Sequence, residues 1–304
     1  MKQHVLNDSN SSSFKLLICG PSNVSVDNIL IKLSELFKEV KKEMDELKGK
    51  RRRRNNEDEN EVQMIRLGHP SRIHPSILSH SMDYILQHHG DKSIVDDVKE
   101  EINQLRREMK KSTWNRERKT RESMKDQKTR LKGLQRELRT RQEDLLSTIL
   151  QESNIILSTT TGSSTYKIRN MTFDVCIIDE AAQAIEIECW IPILKSRKLI
   201  LAGDHKQLPP TIKNKKCEHD LGKTMFERLM NKFEGNGEGK VEDGENLVGN
   251  SRLLSTQYRM NSLISNWSSS FLYSSLLECH ETVSSHTLED LKHFQVLFLP
   301  FTCS

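Results

Sequence analysis

Two carboxylates and an amide stand at positions where they could handle a magnesium-bound triphosphate. Asp179 and Glu180 directly follow an apolar run, residues 175–178, and Gln207 comes shortly after a second apolar run, residues 199–202. Mg²⁺ takes one or two carboxylates together with water and substrate phosphates, so Asp179 has the chemistry of a magnesium ligand. Glu180 could polarise an attacking water, and Gln207 could contact the terminal phosphate. Positioning and charge neutralisation of this kind supply most of the catalysis in nucleoside-triphosphate hydrolysis.

The two apolar runs predict the sheet that positions these side chains. Runs of roughly four to eight apolar residues without polar alternation are typical of strands buried on both faces, which occur in parallel sheets. Such sheets bind ligands at the carboxyl ends of their strands, where both runs deliver their polar residues. A simpler interpretation makes Asp179 the cap of a helix that starts at residues 181–183. The GDHKQLPP stretch at 203–210 favours the functional interpretation.

DEAAQ at residues 179–183 and GDHKQLPP at 203–210 resemble motifs II and III of superfamily 1 helicases of the up-frameshift-like group. Residues 189–211 and RLGHPSR at 66–72 are similar to the branch that contains the immunoglobulin-mu-binding and DNA polymerase alpha-associated helicases. The resemblance implies an α/β fold with a RecA-like parallel sheet of the P-loop NTPase type. It also implies ATP as the nucleotide and single-stranded DNA or RNA as the partner.

The same resemblance assigns roles to individual residues around the nucleotide. Asp179 inherits the Mg²⁺ site, with Glu180 nearby, and Gln207 a place against the terminal phosphate. QYRM at residues 257–260 resembles the motif that opens the second RecA-like domain. It implies that Tyr258 stacks on the nucleotide base and that Arg259 reaches the terminal phosphate as a catalytic group.

The turn Gly20-Pro21-Ser22-Asn23 resembles motif Ia of the family. It follows a predicted strand, and Ser22 or Asn23 can cap the helix that begins near Val24. The resemblance implies that Pro21, Ser22 and Asn23 touch the phosphates of a single strand at this helix N-terminus. A capped turn of this kind, taken alone, is more often only structural.

A second candidate for nucleic-acid contact is the hydroxyl-rich segment at residues 158–162, which resembles motif Ic. Thr160 and Thr161 inherit from it a contact with the nucleic-acid backbone. Short hydroxyl side chains followed by a glycine permit close approach of phosphate, although a Ser/Thr-rich loop is a weak signal by itself.

Residues 92–147 predict a hairpin of two long antiparallel helices, joined through a very polar stretch. Residues 99–144 hold 16 basic and 9 acidic side chains, in a chain whose formal charge is +4, so attraction for phosphate is local to this segment. A similar two-helix insertion occurs in the up-frameshift-like group. The hairpin could grip nucleic acid, form a solvated coiled-coil face or bind a protein partner. The two apolar stripes are Ile94, Val98, Ile102, Leu105 and Met109, and Met124, Leu131, Leu134, Leu138 and Leu145.

Composition excludes several other classes of protein. The chain has no apolar run long enough to span a bilayer, and residues 1–13 are too polar for a signal peptide. Its six cysteines form no CxxC pair and have no histidine at zinc spacing, which predicts reduced thiols in a nuclear or cytoplasmic protein.

These signals predict a domain organisation with one inserted segment and one boundary. Residues 235–250 are rich in Gly, Glu and Asn and predict a linker. We predict a flexible tail at 1–13, the first RecA-like domain in two parts at 14–91 and 148–234, the hairpin at 92–147, and the start of a second RecA-like domain at 251–304.

The phosphate loop of the family, G-x-x-x-x-G-K-[ST], does not occur in this sequence. Gly222-Lys223-Thr224 does not qualify, because Cys217 stands where the first glycine belongs. Hydrogen bonds to charged groups contribute roughly 1.5–3 kcal/mol each, so losing three weakens ATP binding more than about a thousandfold. We therefore expect part of a helicase, without its first strand, that is marginally stable and does not hydrolyse ATP alone. A non-catalytic nucleic-acid-binding or regulatory remnant and a helical-hairpin interaction module are the alternatives.

Overall fold

In a computed structural model, the chain is described over residues 14–49, 62–114, 121–235, 251–287 and 290. The tail predicted at 1–13, the polar connection at 115–120 and residues 236–250 of the predicted linker lie outside this part. The chain divides into two compact units between Arg228 and Leu229.

The first unit is built on a parallel sheet, as the apolar runs predict. Its strands are β1 (Leu16–Gly20), β2 (Met64–Arg66), β3 (Ile155–Thr159), β4 (Phe173–Ile178) and β5 (Ser196–Leu201). Their order across the sheet is β2-β3-β1-β4-β5, and each neighbouring pair is parallel. The α/β class with a RecA-like parallel sheet is thus confirmed.

Burial along the strands follows their position in the sheet. β1 and β3 lie in the interior and are almost entirely buried, as expected for apolar strands covered on both faces. β5 contradicts the expectation of burial on both faces, because Leu199 and Ile200 are 38 and 52 % exposed. The physical reason is that β5 lies at the edge of the sheet, where β4 is its one partner among the described strands.

Helices cover the sheet and project from it. α1 (Asn23–Gly49) packs Val26 and Leu30 against Ile18 and Leu157 of the sheet. None of the described helices is long and apolar enough to cross a membrane. The other helices of this unit are α2 (Met82–His88), α3 (Lys92–Trp114), α4 (Arg121–Glu152), α5 (Glu186–Ile193) and α6 (Glu218–Leu221), and α7 (Met225–Gly235) crosses the division between the units.

α3 and α4 form the predicted antiparallel hairpin. Arg141 donates to the carbonyl of Ile94, while Arg130 pairs with Glu101, so the two helices run in opposite directions. The stripe on α3 begins at the buried Val95, and Ile94, which the sequence assigns to it, is exposed. The small core of the hairpin consists of Val98, Ile102, Leu105 and Leu134, with Met109, Leu131 and Leu138 packed against it.

Besides the end of α7, the described part of the second unit contains two short parallel strands and two helices. β6 (Thr256–Gln257) pairs with β7 (Glu278–Cys279), and α8 (Ser262–Leu272) connects them. α9 (Glu281–Ser284) follows β7 directly.

Candidate nucleotide and nucleic-acid site

The acidic pair stands at the carboxyl end of β4. The backbone N–H of Asp179 donates to the carbonyl of Cys19, 2.9 Å away, which ties this position to the end of β1. Glu180 adopts the left-handed conformation, with φ 53° and ψ 36°. That conformation is uncommon for a residue other than glycine, costs about 1–3 kcal/mol and clusters at functional sites. Both carboxylates are partly buried.

Gln183 holds the side chain of Glu180. Its Nε2 lies 3.1 Å from Glu180 Oε2, and its backbone N–H donates to the carbonyl of Glu180 at 2.8 Å. Residues 181–183 form a 3₁₀ turn without a side-chain cap, and α5 begins only at Glu186, so Asp179 is not a helix cap here. The motif assigns no role to Gln183 in the sequence, although its spacing of three residues from Glu180 indicates that the two side chains can meet in one turn.

Motifs II and III are in direct backbone contact. The N–H of Ala181 donates to the carbonyl of Ala202 at 2.8 Å. A Cβ at Gly203 would stand 2.9 Å from the backbone nitrogen of Ala182 and 3.1 Å from that of Ala181. The loop after β5 therefore lies against the turn after β4, and glycine is required where the two meet.

The loop after Gly203 is organised by Asp204. Its Oδ1 accepts from the N–H of Lys206 at 3.0 Å, and its Oδ2 accepts from Nε2 of Gln207 at 2.8 Å. Gln207 is exposed. A phosphate contact by this amide would exchange the bond to Asp204 for one to the ligand.

The turn before α1 has the geometry of a capped helix N-terminus. Ser22 Oγ accepts from the N–H of Ser25 at 3.0 Å, which leaves Ser22 exposed at the helix end. A Cβ at Gly20 would stand 2.4 Å from Oγ of Ser25, so a larger residue there would displace this hydroxyl. Asn23 points elsewhere, because its Oδ1 accepts from a guanidinium nitrogen of Arg66 at 3.0 Å.

Arg66 is a buried cation beneath this turn. It has no solvent exposure, and its Nε lies 2.8 Å from Oδ1 of Asp27. The other oxygen of Asp27 accepts from the N–H of His74 at 2.9 Å. From the sequence, Arg66 is identified only as part of the RLGHPSR motif, because the spacing of residues does not predict a buried ion pair.

The second nucleic-acid candidate divides between interior and surface. Thr160 is fully buried, and within the described part of the chain its hydroxyl has no hydrogen-bond partner. The nucleic-acid contact that the resemblance to motif Ic implies for Thr160 stays a prediction, and its hydroxyl is buried in this structure. Ser163 Oγ donates to the Thr160 carbonyl at 2.6 Å, so this hydrogen bond holds the backbone of the turn. Thr161 is exposed.

In the second unit, Gln257 folds the turn that carries Tyr258 and Arg259. Its Oε1 accepts from the N–H groups of Arg259 and Met260, each at 2.8 Å. The ring of Tyr258 lies 4.5 Å from that of His280, measured between centroids, and Arg259 is exposed.

The residue after this turn also shapes the helix that follows. Asn261 Oδ1 accepts from the N–H of Leu263 at 2.7 Å, so it caps α8. The side chain of Asn261 thus satisfies a backbone donor at the start of α8.

The donor set at Asp179 fits Mg²⁺ better than a transition metal. Among the described residues no group of three or more His, Cys, Asp or Glu could hold a metal ion. Mg²⁺ does not need such a group, because phosphate and water oxygens complete its coordination. A partly buried carboxylate at a strand end meets its requirement.

Comparisons with known proteins find relatives over most of the chain. An AAA domain family matches residues 1–215, and a second AAA domain family matches residues 221–303. The chain is 35 % identical to the DNA-binding protein SMUBP-2 of Rattus norvegicus, over 91 % of this chain and 24 % of that protein. It is 33 % identical to the DNA polymerase alpha-associated DNA helicase A of Schizosaccharomyces pombe, over 92 % of this chain and 36 % of that protein. It is 26 % identical to the probable helicase senataxin of Mus musculus, over 89 % of this chain and 11 % of that protein.

Proposed function

The chain belongs to the AAA domain family, within the up-frameshift-like superfamily 1B helicases, and from that membership we propose that it carries part of an ATP-dependent helicase acting on single-stranded DNA or RNA. It spans 24 to 36 % of the first two relatives above. The observation that carries the proposal is the backbone contact between Gly203 and the turn after Asp179. It joins the two loops that would enclose a triphosphate.

The acidic pair and Gln207 supply the nucleotide half of the proposal. Asp179 would hold Mg²⁺, and the ion would neutralise charge on the phosphates. Glu180, kept in place by Gln183, would orient the attacking water. Gln207 would leave Asp204 for the terminal phosphate, at a small net cost because one hydrogen bond replaces another.

Tyr258 and Arg259 lie in the second unit, and their nucleotide roles rest on the resemblance of QYRM at residues 257–260. We assign Tyr258 to stacking on the base and Arg259 to the terminal phosphate. Their exposure supports this assignment, as does the turn that Gln257 holds in shape.

The turn before α1 and Thr161 supply the nucleic-acid half. The exposed Ser22, beside Pro21 and the N-terminus of α1, offers a hydroxyl and the positive end of a helix dipole to a phosphate. Asn23 would act through its backbone, because Arg66 already engages its side-chain oxygen. The relatives' names, DNA-binding protein and DNA helicase, favour the nucleus or the cytoplasm as the place of action.

Binding of Mn²⁺ with ATP, followed by water-proton relaxation, tests the assignment of Asp179 without relying on turnover. Mn²⁺ substitutes for Mg²⁺ at oxygen sites, so the relaxation enhancement reports metal–nucleotide held on the protein. We expect Asp179→Asn to reduce the bound fraction at least about tenfold at millimolar ATP, a loss of about 1.4 kcal/mol. Asp220→Asn, at a carboxylate of α6 that is 82 % exposed, is the matched control. If both variants show the same enhancement, and it exceeds that of Mn²⁺–ATP without protein, Asp179 is not a ligand of the site.

A non-catalytic strand-binding protein is the second candidate, and the absence of G-x-x-x-x-G-K-[ST] from the sequence favours it. Such a protein would bind single strands in a salt-sensitive manner without turnover. Phosphate release above background from the purified 304-residue chain would contradict it.

A further inference from the structure

A cavity of about 600 Å³ lies at the base of the helical hairpin. It is bounded by α2, the start of α3, the second half of α4 and the 3₁₀ turn Tyr166–Ile168. Its floor includes the buried Val95 and Leu145. The volume falls in the range of roughly 300–1,000 Å³ that ligand sites in proteins occupy.

Tyr166 stands at the rim of this cavity on an anchored turn. Its side chain is 72 % exposed, whereas Ile168, two residues on, is fully buried. Nζ of Lys195 donates to the carbonyls of Ser163 and Ile168, at 2.5 and 3.3 Å, and so ties the turn to the body of the unit. A single exposed aromatic is ordinary, but one displayed from a fixed turn loses little entropy when a ligand stacks on it.

Four cations and two carboxylates line the cavity: Lys92, Lys99, Arg139 and Lys167 against Asp83 and Glu143.

Three of these four cations already have acidic partners. Lys99 and Lys92 lie 2.9 and 3.5 Å from Asp96, and Arg139 lies 2.9 Å from Glu143. These pairs are largely exposed and therefore contribute little, so a phosphate can replace a carboxylate without much loss. With Asp96 counted, the four cations exceed the three carboxylates by one, and this net positive charge favours an anionic ligand.

We propose that this groove binds a stretch of single-stranded nucleic acid, with a base stacked on Tyr166 and the neighbouring phosphates on Lys167 and Arg139. The inference rests on the proposed function, because the turn that carries Tyr166 directly follows Thr161–Ser164 and so extends the strand's path beyond Thr161. Aromatic side chains beside a positively charged groove are the usual composition of single-strand sites. An acidic peptide would use the cations but leave the exposed ring without a role.

The test measures binding of fluorescein-labelled 20-nucleotide single-stranded DNA and RNA to the full chain by anisotropy, at several salt concentrations. Tyr166→Ala is expected to weaken binding by about 5- to 150-fold, the loss of one stacked base, and Tyr166→Phe to stay within about twofold of wild type. Phe14→Ala is the matched control, because Phe14 is 58 % exposed and lies outside the cavity. Lys167→Gln and Arg139→Gln should each lower the salt slope by about 0.7.

Photocrosslinking with 5-iodouridine in the same oligonucleotides supplies a second readout, and a crosslinked peptide containing Tyr166 supports the proposal. If Tyr166→Ala binds the DNA and the RNA oligonucleotides with wild-type affinity while Ser22→Ala binds them more weakly, the cavity is not a nucleic-acid site. The proposed function would still stand. If the wild-type chain binds neither oligonucleotide, both the cavity site and the proposed function are wrong. Protection of Tyr166 from tyrosine-directed labelling by polyglutamate, but not by the oligonucleotides, would assign the groove to an acidic peptide and overturn the proposal.

Discussion

Arg66 Nε lies 2.8 Å from Asp27 Oδ1 with both side chains withdrawn from solvent, so the end of β2 and the first turns of α1 are joined by a buried ion pair. Asn23 and the backbone of His74 satisfy further hydrogen bonds of the pair. A buried pair with its donors and acceptors satisfied specifies geometry more than it adds stability, and here it holds the turn that bears Ser22.

Arg66→Met should lower the free energy of unfolding by about 3–5 kcal/mol, because it leaves the carboxylate of Asp27 buried without its partner. Urea unfolding followed by circular dichroism measures this change. Glu101→Gln is the control, since it breaks the exposed pair with Arg130 and should change stability by less than about 1 kcal/mol. Equal effects of the two substitutions would mean that the buried pair does not hold this region.

Gly203→Ala should lower the free energy of unfolding by about 1–3 kcal/mol, because its Cβ would lie 2.9 Å from the backbone nitrogen of Ala182. Gly133→Ala in α4 should do the opposite and stabilise the chain by about 0.5–1 kcal/mol, since nothing lies within 4 Å of the added carbon. Thermal and urea unfolding of both variants check the signs. A stabilising Gly203→Ala would show that the two loops are not in contact.

Burial raises the pKa of the Cys189 thiol to about 11, with nearby Glu188 and Glu186 adding to the effect. Because this folded-state pKa lies above the ordinary value of 9.0, the thiol contributes stability below pH 9 that is lost as the pH rises toward 11. We expect iodoacetamide at pH 8 to alkylate Cys217, which is partly exposed, far faster than the fully buried Cys189. Mass spectrometry of the labelled peptides measures both rates, and comparable labelling would place Cys189 at the surface.

The purified 304-residue chain should release no phosphate from ATP above background, with or without single-stranded DNA or RNA. The expected cause is weak nucleotide binding, since the sequence holds no G-x-x-x-x-G-K-[ST] to supply backbone donors and a lysine to the phosphates. Asp179→Asn serves as the control preparation and should give the same background. A wild-type rate that falls in Asp179→Asn would instead mean that this polypeptide hydrolyses ATP by itself.

Short-range patterns were sufficient for the elements and the family. The apolar runs ending in Asp179 and in Gly203 predict parallel strands with polar carboxyl ends, and the sheet has both. Spacings of three and four along residues 92–147 predict the hairpin, because an amphipathic helix must bury one stripe. The roles of Asp179, Glu180, Gln207, Tyr258 and Arg259 remain predictions.

Packing between segments that are distant in the sequence determines the burial of individual residues, which sequence patterns do not predict. Thr160 and Thr161 are neighbours in a hydroxyl-rich loop and the sequence does not distinguish them. In the fold, Thr160 is buried and Thr161 is exposed. The apolar run at 199–202 predicts a strand buried on both faces, yet β5 starts at Ser196 and lies at the edge of the described sheet.

The sequence by itself determined the local elements, the acidic pair and the family, because these depend on residues a few positions apart. Only the tertiary structure decided that Arg66 pairs with Asp27, that Gly203 rests on the turn after Asp179, and that Tyr166 faces a cation-lined cavity. Each of these contacts joins segments that are far apart in the sequence, and whether they touch depends on strand order and burial. Local propensity and periodicity do not specify such long-range contacts.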